Sequence, residues 1–355
     1  MRSTLKIFKI FGISVEIHFT FLILPVIFGI FAGLKGIVLI LFVFLCVTMH
    51  EIVHSIQANR FGAKAQKIIL FPIGGVAMMK SMPEKPRQEF IIAISGPLFN
   101  LALAAILYFP LKKVLGEQIL LQFPPTLATW KNTIAYMFWI NPILAVFNLL
   151  PAFPMDGGRV FRAVLAQYLD YRKATRIAVA LGHAIAVFLA FMGWMAVPRN
   201  YILVIIAVFV YVAASHEEAE VEVKTTLAKI KVQDILSDEY KTVTGDMSLA
   251  QVLEIVFHSH HEDFPVLEGG KLVGLLTRSA IIKGIHQYSK EKKVSEIMRK
   301  DFPAVSPSDP LKKVHLLMQE SQVRAIPVLR KGELCGIVTI EDLTKIYALM
   351  SNRMV

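Results

Sequence analysis

The stretch LFVFLCVTMHEIVHS at residues 41–55 places two histidines and a glutamate at the end of an apolar run. In the H-E-x-x-H pattern, His50 and His54 lie on one face of a helix and can bind one metal ion. Glu51 is rotated by about 100° from His50, so its carboxylate can reach a metal-activated water without binding the metal. A charged side chain in a membrane segment costs about 2.5–3.5 kcal/mol, so the three residues need a common reason. The pattern predicts zinc-dependent hydrolysis; the alternative is a pair of core histidines with hydrogen-bonded partners.

A catalytic zinc site needs a third protein ligand and an open position for water. Asp156 is the acidic residue at the end of an otherwise apolar run, in FNLLPAFPMDGGRV at 147–160. We expect Pro154, Gly157 and Gly158 to let the backbone leave the helix and to aim this carboxylate inward. An ordinary Asp-Gly turn at a helix end is the competing interpretation. The occurrence of Asp156 together with HEIVH favours the ligand.

The composition indicates that a membrane surrounds these residues. Hydrophobic residues make up 55% of the chain and charged residues 18%, and the apolar excess precedes residue 216. Since about 20 residues cross a bilayer, the predicted fold is a six-span polytopic helical membrane bundle, with a short membrane-associated β-hairpin at 66–79. The six runs are roughly 17–34, 36–57, 90–111, 133–153, 174–196 and 200–215.

The distribution of Lys and Arg predicts the orientation. The N-terminus and the loops 58–89 and 154–176 hold fourteen such residues, and the opposite side holds five. Because positive residues favour the cytoplasmic side, both termini are predicted to be cytoplasmic. His50, His54 and Asp156 then lie near the same membrane surface. The net charge of +11 sits in these short loops, so nucleic-acid binding is not expected.

The C-terminal part repeats itself with an offset of 62 residues. FPVLEGGKLVGLLT at 264–277 aligns with IPVLRKGELCGIVT at 326–339, and VQDIL at 232–236 aligns with VSEIM at 294–298. Such matches indicate a tandem α/β repeat. The predicted domains are 1–215 (membrane part), 216–229 (linker) and 230–349, with repeats at about 230–291 and 292–349.

Four motifs together resemble the site-2 protease family of intramembrane zinc metalloproteases. They are HEIVH, IGGV at 73–76, SGPLFN at 95–100 and NLLPAFPMDGG at 148–158. The similarity is greatest to the CBS-containing branch, which includes a sporulation protease that processes a sigma-factor precursor. The resemblance implies one zinc ion on His50, His54 and Asp156, with Glu51 as general base.

The resemblance also implies that Asn148 and Asn100 line the cavity and that Gly74 and Gly75 help to hold an extended substrate. From the residues alone, a helix-packing role for Asn148 is equally compatible, and SGPLFN could be simple small-residue packing around Asn100. Cys46 shares the face of His50, but packing is the better interpretation. His18 and His183 are interpreted as structural or gating residues.

Each 62-residue repeat resembles a CBS motif, and the pair would form one Bateman module. The resemblance implies an adenine nucleotide such as ATP or AMP, bound by Thr339 and Asp342 in GIVTIED. The first repeat has Ala280 where this aspartate is expected, which favours one nucleotide site. The alternative is a module that acts only in dimerisation or docking.

The predicted function is cleavage of a protein within or next to its transmembrane segment, regulated by nucleotide. The expected partners are a membrane-embedded or membrane-tethered protein such as a sigma-factor precursor or anti-sigma factor, the bilayer, the nucleotide, and a second copy of the chain through the CBS module. Two alternatives remain: a CBS-regulated metal transporter and an inactive substrate-binding scaffold.

Overall fold

The computed structural model describes residues 4–63, 65–72, 74–79, 85–236, 240–258, 262–287 and 290–351, with backbone only at Met79 and 347–351. The chain divides into two compact units, Met1–Ala219 and Glu220–Val355. The division falls inside the predicted linker 216–229. The finer domain limits stay a prediction.

The first unit contains a four-stranded sheet and most of the helical residues. Its elements are β1 (Thr4–Ile10), β2 (Ile13–His18), α1 (Ile23–Arg60), β3 (Ala65–Phe71), β4 (Gly74–Met79), α2 (Pro86–Leu115), α3 (Glu117–Leu120), α4 (Trp130–Asn148), α5 (Asp156–Leu165), α6 (Tyr171–Met195) and α7 (Tyr201–Leu227), the last of which continues into the second unit.

Four helical segments in the described part of the chain are long and apolar enough to cross a bilayer. They are Phe19–Arg60, Pro86–Leu115, Tyr171–Met195 and Tyr201–Leu227. The predicted helical membrane class is confirmed, whereas the number of six spans is not. The predicted run 133–153 corresponds mainly to α4, which is not among the four.

The predicted first run, 17–34, is wrong as a single span. Residues 13–18 form β2, because ISVEIH alternates apolar and polar side chains with the period of a strand. The helix that follows is interrupted at Gly33, whose φ of 59° lies in the region that favours glycine. The chain turns back there, so that a Cβ on Gly36 would collide with the Phe28 carbonyl oxygen. The helical hairpin is therefore present, with a first segment too short to span.

The predicted hairpin at 66–79 is confirmed as β3 and β4, but it is half of a larger sheet with the order β1-β2-β3-β4. β2 pairs with β3 in parallel, and β3 pairs with β4 in antiparallel, with Leu70 opposite Gly75. The buried face of the sheet packs on α1, where Phe44 and Ile52 meet Ile68. Since Ile52 lies within HEIVH, this packing brings the sheet to the predicted site.

The second unit confirms the tandem repeat. Its helices and strands are β5 (Val243–Thr244), α8 (Leu249–Phe257), β6 (Phe264–Glu268), β7 (Lys271–Leu276), α9 (Arg278–Gln287), α10 (Val294–Ile297), α11 (Leu311–Ser321), β8 (Ala325–Arg330), β9 (Glu333–Thr339) and α12 (Ile340–Ser351). Four elements of the first repeat recur at the predicted offset: α8 in α11, β6 in β8, β7 in β9 and α9 in α12. The parallel pairing of Val243 with Val266 recurs as a bridge between Val305 and Val328.

One buried aspartate joins the two repeats. The Asp263 carboxylate accepts hydrogen bonds from the backbone N–H groups of Arg278, Arg324 and Ala325, at 2.9, 2.6 and 3.3 Å. A buried carboxylate with three donors is satisfied despite its desolvation. The equivalent position of the second repeat is Ala325, so this connection is asymmetric.

Candidate metal centre

The side chains of His50, His54 and Asp156 converge on one point. The Asp156 Oδ2 atom lies 3.1 Å from the Nε2 atom of each histidine, and the two Nε2 atoms lie 3.0 Å apart. In the described part of the chain, these residues form the group that could hold a metal ion. The i, i+4 spacing on α1 brings the two rings together, and α5 contributes the carboxylate.

The second nitrogen of each ring has a partner on α2. The Nδ1 atom of His54 lies 2.7 Å from the backbone carbonyl of Ile92, and the Nδ1 atom of His50 lies 2.9 Å from the Asn100 Oδ1 atom. A carbonyl oxygen only accepts, so each Nδ1 carries the hydrogen. Both Nε2 atoms of the neutral rings are then acceptors that face a third acceptor, the carboxylate.

Three converging acceptors repel one another unless a cation lies between them. Tetrahedral zinc with nitrogen and oxygen ligands at about 2.0–2.2 Å places its ligand atoms about 3.3 Å apart. The observed separations of 3.0–3.1 Å are close to this value. Histidine ligands also commonly donate their other N–H to a carbonyl or carboxylate. The residues present therefore fit zinc.

The Asp156 position depends on close packing. Asp156 is the first residue of α5, and Gly157 and Gly158 continue that helix. A Cβ on Gly157 would collide with the carbonyl oxygens of Leu149 and Leu150, and one on Gly158 would lie 2.7 Å from the Phe153 nitrogen. The expectation that these glycines let the backbone leave a helix is wrong. They let the start of α5 pack against the preceding loop.

Gly96 is a site residue that the sequence reasoning missed. A Cβ on Gly96 would collide with the His54 Nε2 atom and lie 2.6 Å from the His50 Cε1 atom. The two imidazoles therefore pack directly on the backbone of α2. The sequence signal was the glycine within SGPLFN, interpreted only as helix packing.

Glu51 lies beside the outer strand of the sheet. A Cβ on Gly75 would come within 2.9 Å of the Glu51 Cγ atom. Gly74, at the start of β4, has a φ of +140°, which side chains rarely adopt. The structure thus brings the two predicted glycines and the predicted base to the same place.

The two predicted asparagines lie in different places. Asn100 is fully buried behind His50, where it supports the ring. Its Nδ2 atom lies 3.5 Å from the Oδ1 atom of Asn141, a second fully buried asparagine. Asn148 is the half-buried last residue of α4. Asn100 therefore holds the His50 ring in place. A role for Asn148 in lining the cavity stays a prediction.

The remaining polar candidates lie outside the cluster. Cys46 is buried in a hydrophobic cluster with Leu39 and Ile140. The His18 Nδ1 atom accepts from Thr20 at the start of a short 3-10 helix. The His183 ring stacks on Tyr211, with its Nε2 atom 2.9 Å from the Ser215 Oγ atom. The structural or gating role of His18 and His183 stays a prediction.

In the second unit, Thr339 and Asp342 contact each other at the start of α12. The Asp342 Oδ2 atom accepts from the Thr339 N–H at 2.9 Å and from its hydroxyl at 2.8 Å. The Thr339 hydroxyl in turn accepts from the Asp342 N–H. In the first repeat, the Thr277 hydroxyl accepts from the N–H of Ala280, and the carboxylate is missing. The two repeats therefore differ where the nucleotide site was predicted.

Comparison with known proteins covers both units. The model for peptidase family M50 matches residues 38–193, and the model for the CBS domain matches residues 232–287 and 294–349. A zinc metalloprotease of Methanocaldococcus jannaschii is 34% identical over 354 residues, which cover 99% of this chain and 98% of that protein.

Two solved structures match parts of the chain. The site-2 protease from Methanocaldococcus jannaschii has 34% identity and a TM-score of 0.45, and the match covers 61% of this chain and 95% of that chain. A CBS domain pair in complex with 5′-methylthioadenosine and S-adenosyl-L-methionine has 27% identity and a TM-score of 0.32, covering 34% of this chain and 96% of that chain.

Proposed function

Since the chain belongs to peptidase family M50, the site-2 proteases, and is a membrane zinc metalloendopeptidase with two CBS domains, we propose that His50, His54 and Asp156 hold its catalytic zinc ion. The observation that carries this proposal is the convergence of three acceptor atoms within 3.1 Å of one another. A zinc ion there supplies Lewis-acid activation of water and of a peptide carbonyl.

Glu51 is the proposed general base. It follows His50 on α1, so its carboxylate points to one side of the ligand cluster instead of into it. There it takes a proton from the attacking water and returns it to the leaving amine. Such proton transfer contributes about 10²–10⁴-fold to a rate.

The substrate is proposed to bind as an added strand beside β4. A peptide bond inside a transmembrane helix is covered and hydrogen-bonded, so the substrate must unwind, and its freed backbone groups then need partners. β4 is an outer strand of the sheet in the described residues, and Gly75 lies against Glu51. Strand addition at Gly74 and Gly75 would satisfy the substrate backbone next to the base.

The orientation and partners follow from the charges and the repeats. The excess of Lys and Arg supports cytoplasmic termini and cytoplasmic CBS repeats. One adenine-nucleotide site, with ATP or AMP as a regulatory ligand, is supported by Thr339, Asp342 and the start of α12. The resemblance to the sporulation branch supports a sigma-factor precursor or an anti-sigma factor as substrate. Pairing of two copies through the CBS repeats is also proposed.

Membership in a protease family disfavours the transporter and scaffold alternatives, and one substitution tests the proposed mechanism directly. Glu51→Gln keeps the size of the side chain and removes the base. We expect cells with the wild-type protein to accumulate membrane-protein fragments cut within or beside transmembrane segments, as seen by terminal proteomics. Cells with Glu51→Gln should lack them, although the purified variant still holds zinc. The control is Glu117→Gln, at an exposed glutamate of α3. The same fragments from Glu51→Gln would contradict the mechanism.

A further inference from the structure

Arg162 is a buried cation that the proposed hydrolysis does not use. The loop predicted at 154–176 includes Arg162 among the residues that set the orientation, but Arg162 lies in α5 and is 4% exposed. It follows Asp156 by six residues, which is about 9 Å along the helix and on a different face. Arg162 therefore cannot reach a metal held by Asp156.

Arg162 joins three helices through its guanidinium group. Its Nε and Nη2 atoms donate to the Glu89 Oε1 atom of α2 at 2.9 and 2.5 Å. Its Nη1 atom donates to the Glu217 Oε1 atom of α7 at 2.6 Å. The guanidinium also lies 4.8 and 4.9 Å from the ring centres of Phe153 and Tyr171. These contacts hold α5 relative to α2, α7 and the start of α6.

α2 is also the helix that holds the two histidines. Glu89 lies in its first turn, and Ile92, Gly96 and Asn100 follow along the same helix with their contacts to the imidazoles. The Arg162–Glu89 ion pair thus links the support of the histidines to the helix of Asp156. Phe153, which is fully buried three residues before Asp156, contacts the same guanidinium. Arg162 therefore restrains the chain on both sides of the carboxylate.

Stability alone is a poor explanation for this cluster. Among the described residues, the buried Glu89 Oε2 atom has no hydrogen-bond partner, so the desolvation of this carboxylate is only partly compensated. Buried ion pairs often contribute no more stability than well-packed apolar residues would, because desolvation offsets their attraction. A positional role explains why such a cluster lies beside the ligand helix.

We propose that Arg162 is a positioning residue of the zinc site, which sets the Asp156 carboxylate relative to His50 and His54 through Glu89 and Glu217. The proposal rests on the ligand set proposed above. Residues that hydrogen-bond directly to metal ligands typically change metal affinity by about 10–100-fold when they are removed. Arg162 acts one contact further from the metal, so its effect is expected to be smaller. A loss of zinc affinity in a folded variant therefore distinguishes a positioning role from a purely structural one.

The test compares Glu217→Gln with Glu218→Gln in the full chain in detergent. Glu218 is the next residue of α7 and pairs with the exposed Arg176 at 3.4 Å, which makes it a matched control. Zinc affinity is measured by chelator competition, and site geometry by the visible absorption of the Co2+-loaded protein. We expect Glu217→Gln to weaken zinc binding by less than the about 10–100-fold of a direct ligand partner, but measurably, and to shift the cobalt bands. Glu218→Gln should match the wild type.

Two Arg162 variants extend the test. Arg162→Met should weaken zinc binding more than Glu217→Gln, and Arg162→Lys should recover part of the loss. If Arg162→Met does not fold, the Glu217→Gln result decides. Wild-type zinc affinity and cobalt spectrum in folded Glu217→Gln would overturn the proposal. Asp156→Ala separates the two claims: zinc retained there would refute the ligand set, whereas zinc lost there but unchanged in Glu217→Gln would refute only the role of Arg162.

Discussion

The Nε2 atoms of His50 and His54 lie 3.0 Å apart, and neither carries a hydrogen to join them when both rings are neutral. Each ring instead donates its Nδ1 hydrogen to a partner on α2. The two rings therefore need a cation between their Nε2 atoms and the Asp156 carboxylate, and fixed hydrogen-bond acceptors at their Nδ1 atoms. Changes to those acceptors should alter metal affinity more than overall stability.

Asn100→Ala removes the acceptor behind His50. We expect zinc affinity to fall about 10–100-fold, because the ring loses its fixed tautomer and orientation. Chelator competition on the purified protein measures this fall. Asn100→Asp keeps an acceptor oxygen and should restore much of the affinity. Equal affinities for the alanine variant and the wild type would show that the contact does not support the ligand.

Gly96→Ala places a methyl group against both imidazoles. Overpacking of this kind costs about 1–3 kcal/mol, and here the rings that must move are the proposed ligands. We expect weaker zinc binding and altered bands in the Co2+-loaded protein. The control is Gly182→Ala in α6, where a Cβ would have contacts of 3.5 Å or longer. A Gly96→Ala spectrum identical to that of the wild type would contradict the packing argument.

The residues of the metal site differ in how far the sequence predicts them. His50, Glu51, His54 and Asp156 stood out because ionisable side chains are costly in apolar segments. Gly96 and Ile92 give no such signal. Gly96 has no side chain, and Ile92 contacts His54 through its backbone carbonyl. They become visible only when α2 is placed against α1.

Gly75→Ala separates catalysis from metal binding. The added methyl group would lie 2.9 Å from the Glu51 Cγ atom, so it displaces the proposed base and leaves the ligands in place. We expect the variant to bind about one zinc per chain. Its cleavage rate should fall by about 10²-fold, the lower end of what a general base contributes. The exposed neighbour Val76 provides the control as Val76→Ala. Undiminished cleavage by Gly75→Ala would place Glu51 elsewhere during the reaction.

Ala280→Asp restores the missing carboxylate in the first CBS repeat. If Thr339 and Asp342 mark one nucleotide site, calorimetric titration with ATP or AMP should give a stoichiometry near one. The variant should approach two, because the new carboxylate follows Thr277 at the spacing of the second repeat. Asp342→Ala should abolish the original site. A stoichiometry unaffected by both substitutions would rule out this location.

The fold was predictable where sequence periodicity is distinctive. The 62-residue repeat and the β3–β4 hairpin follow from patterns of apolar residues, turns and glycines. The first predicted span was wrong because the alternating strand β2 runs directly into apolar helical residues, so a length criterion merges them. The burial of Arg162 was also missed, since a cation between two apolar runs is typical of an orientation-setting loop. Its partners Glu89 and Glu217 are distant in sequence.

The metal content of purified wild-type protein and Asp156→Ala tests the central claim most directly. Asp170→Asn is a suitable control, because it keeps an acceptor at the exposed start of α6. We predict about one zinc per chain in the wild type and in Asp170→Asn, and almost none in Asp156→Ala, since two histidines alone do not complete the site. A full equivalent of tightly bound zinc in Asp156→Ala would contradict the account.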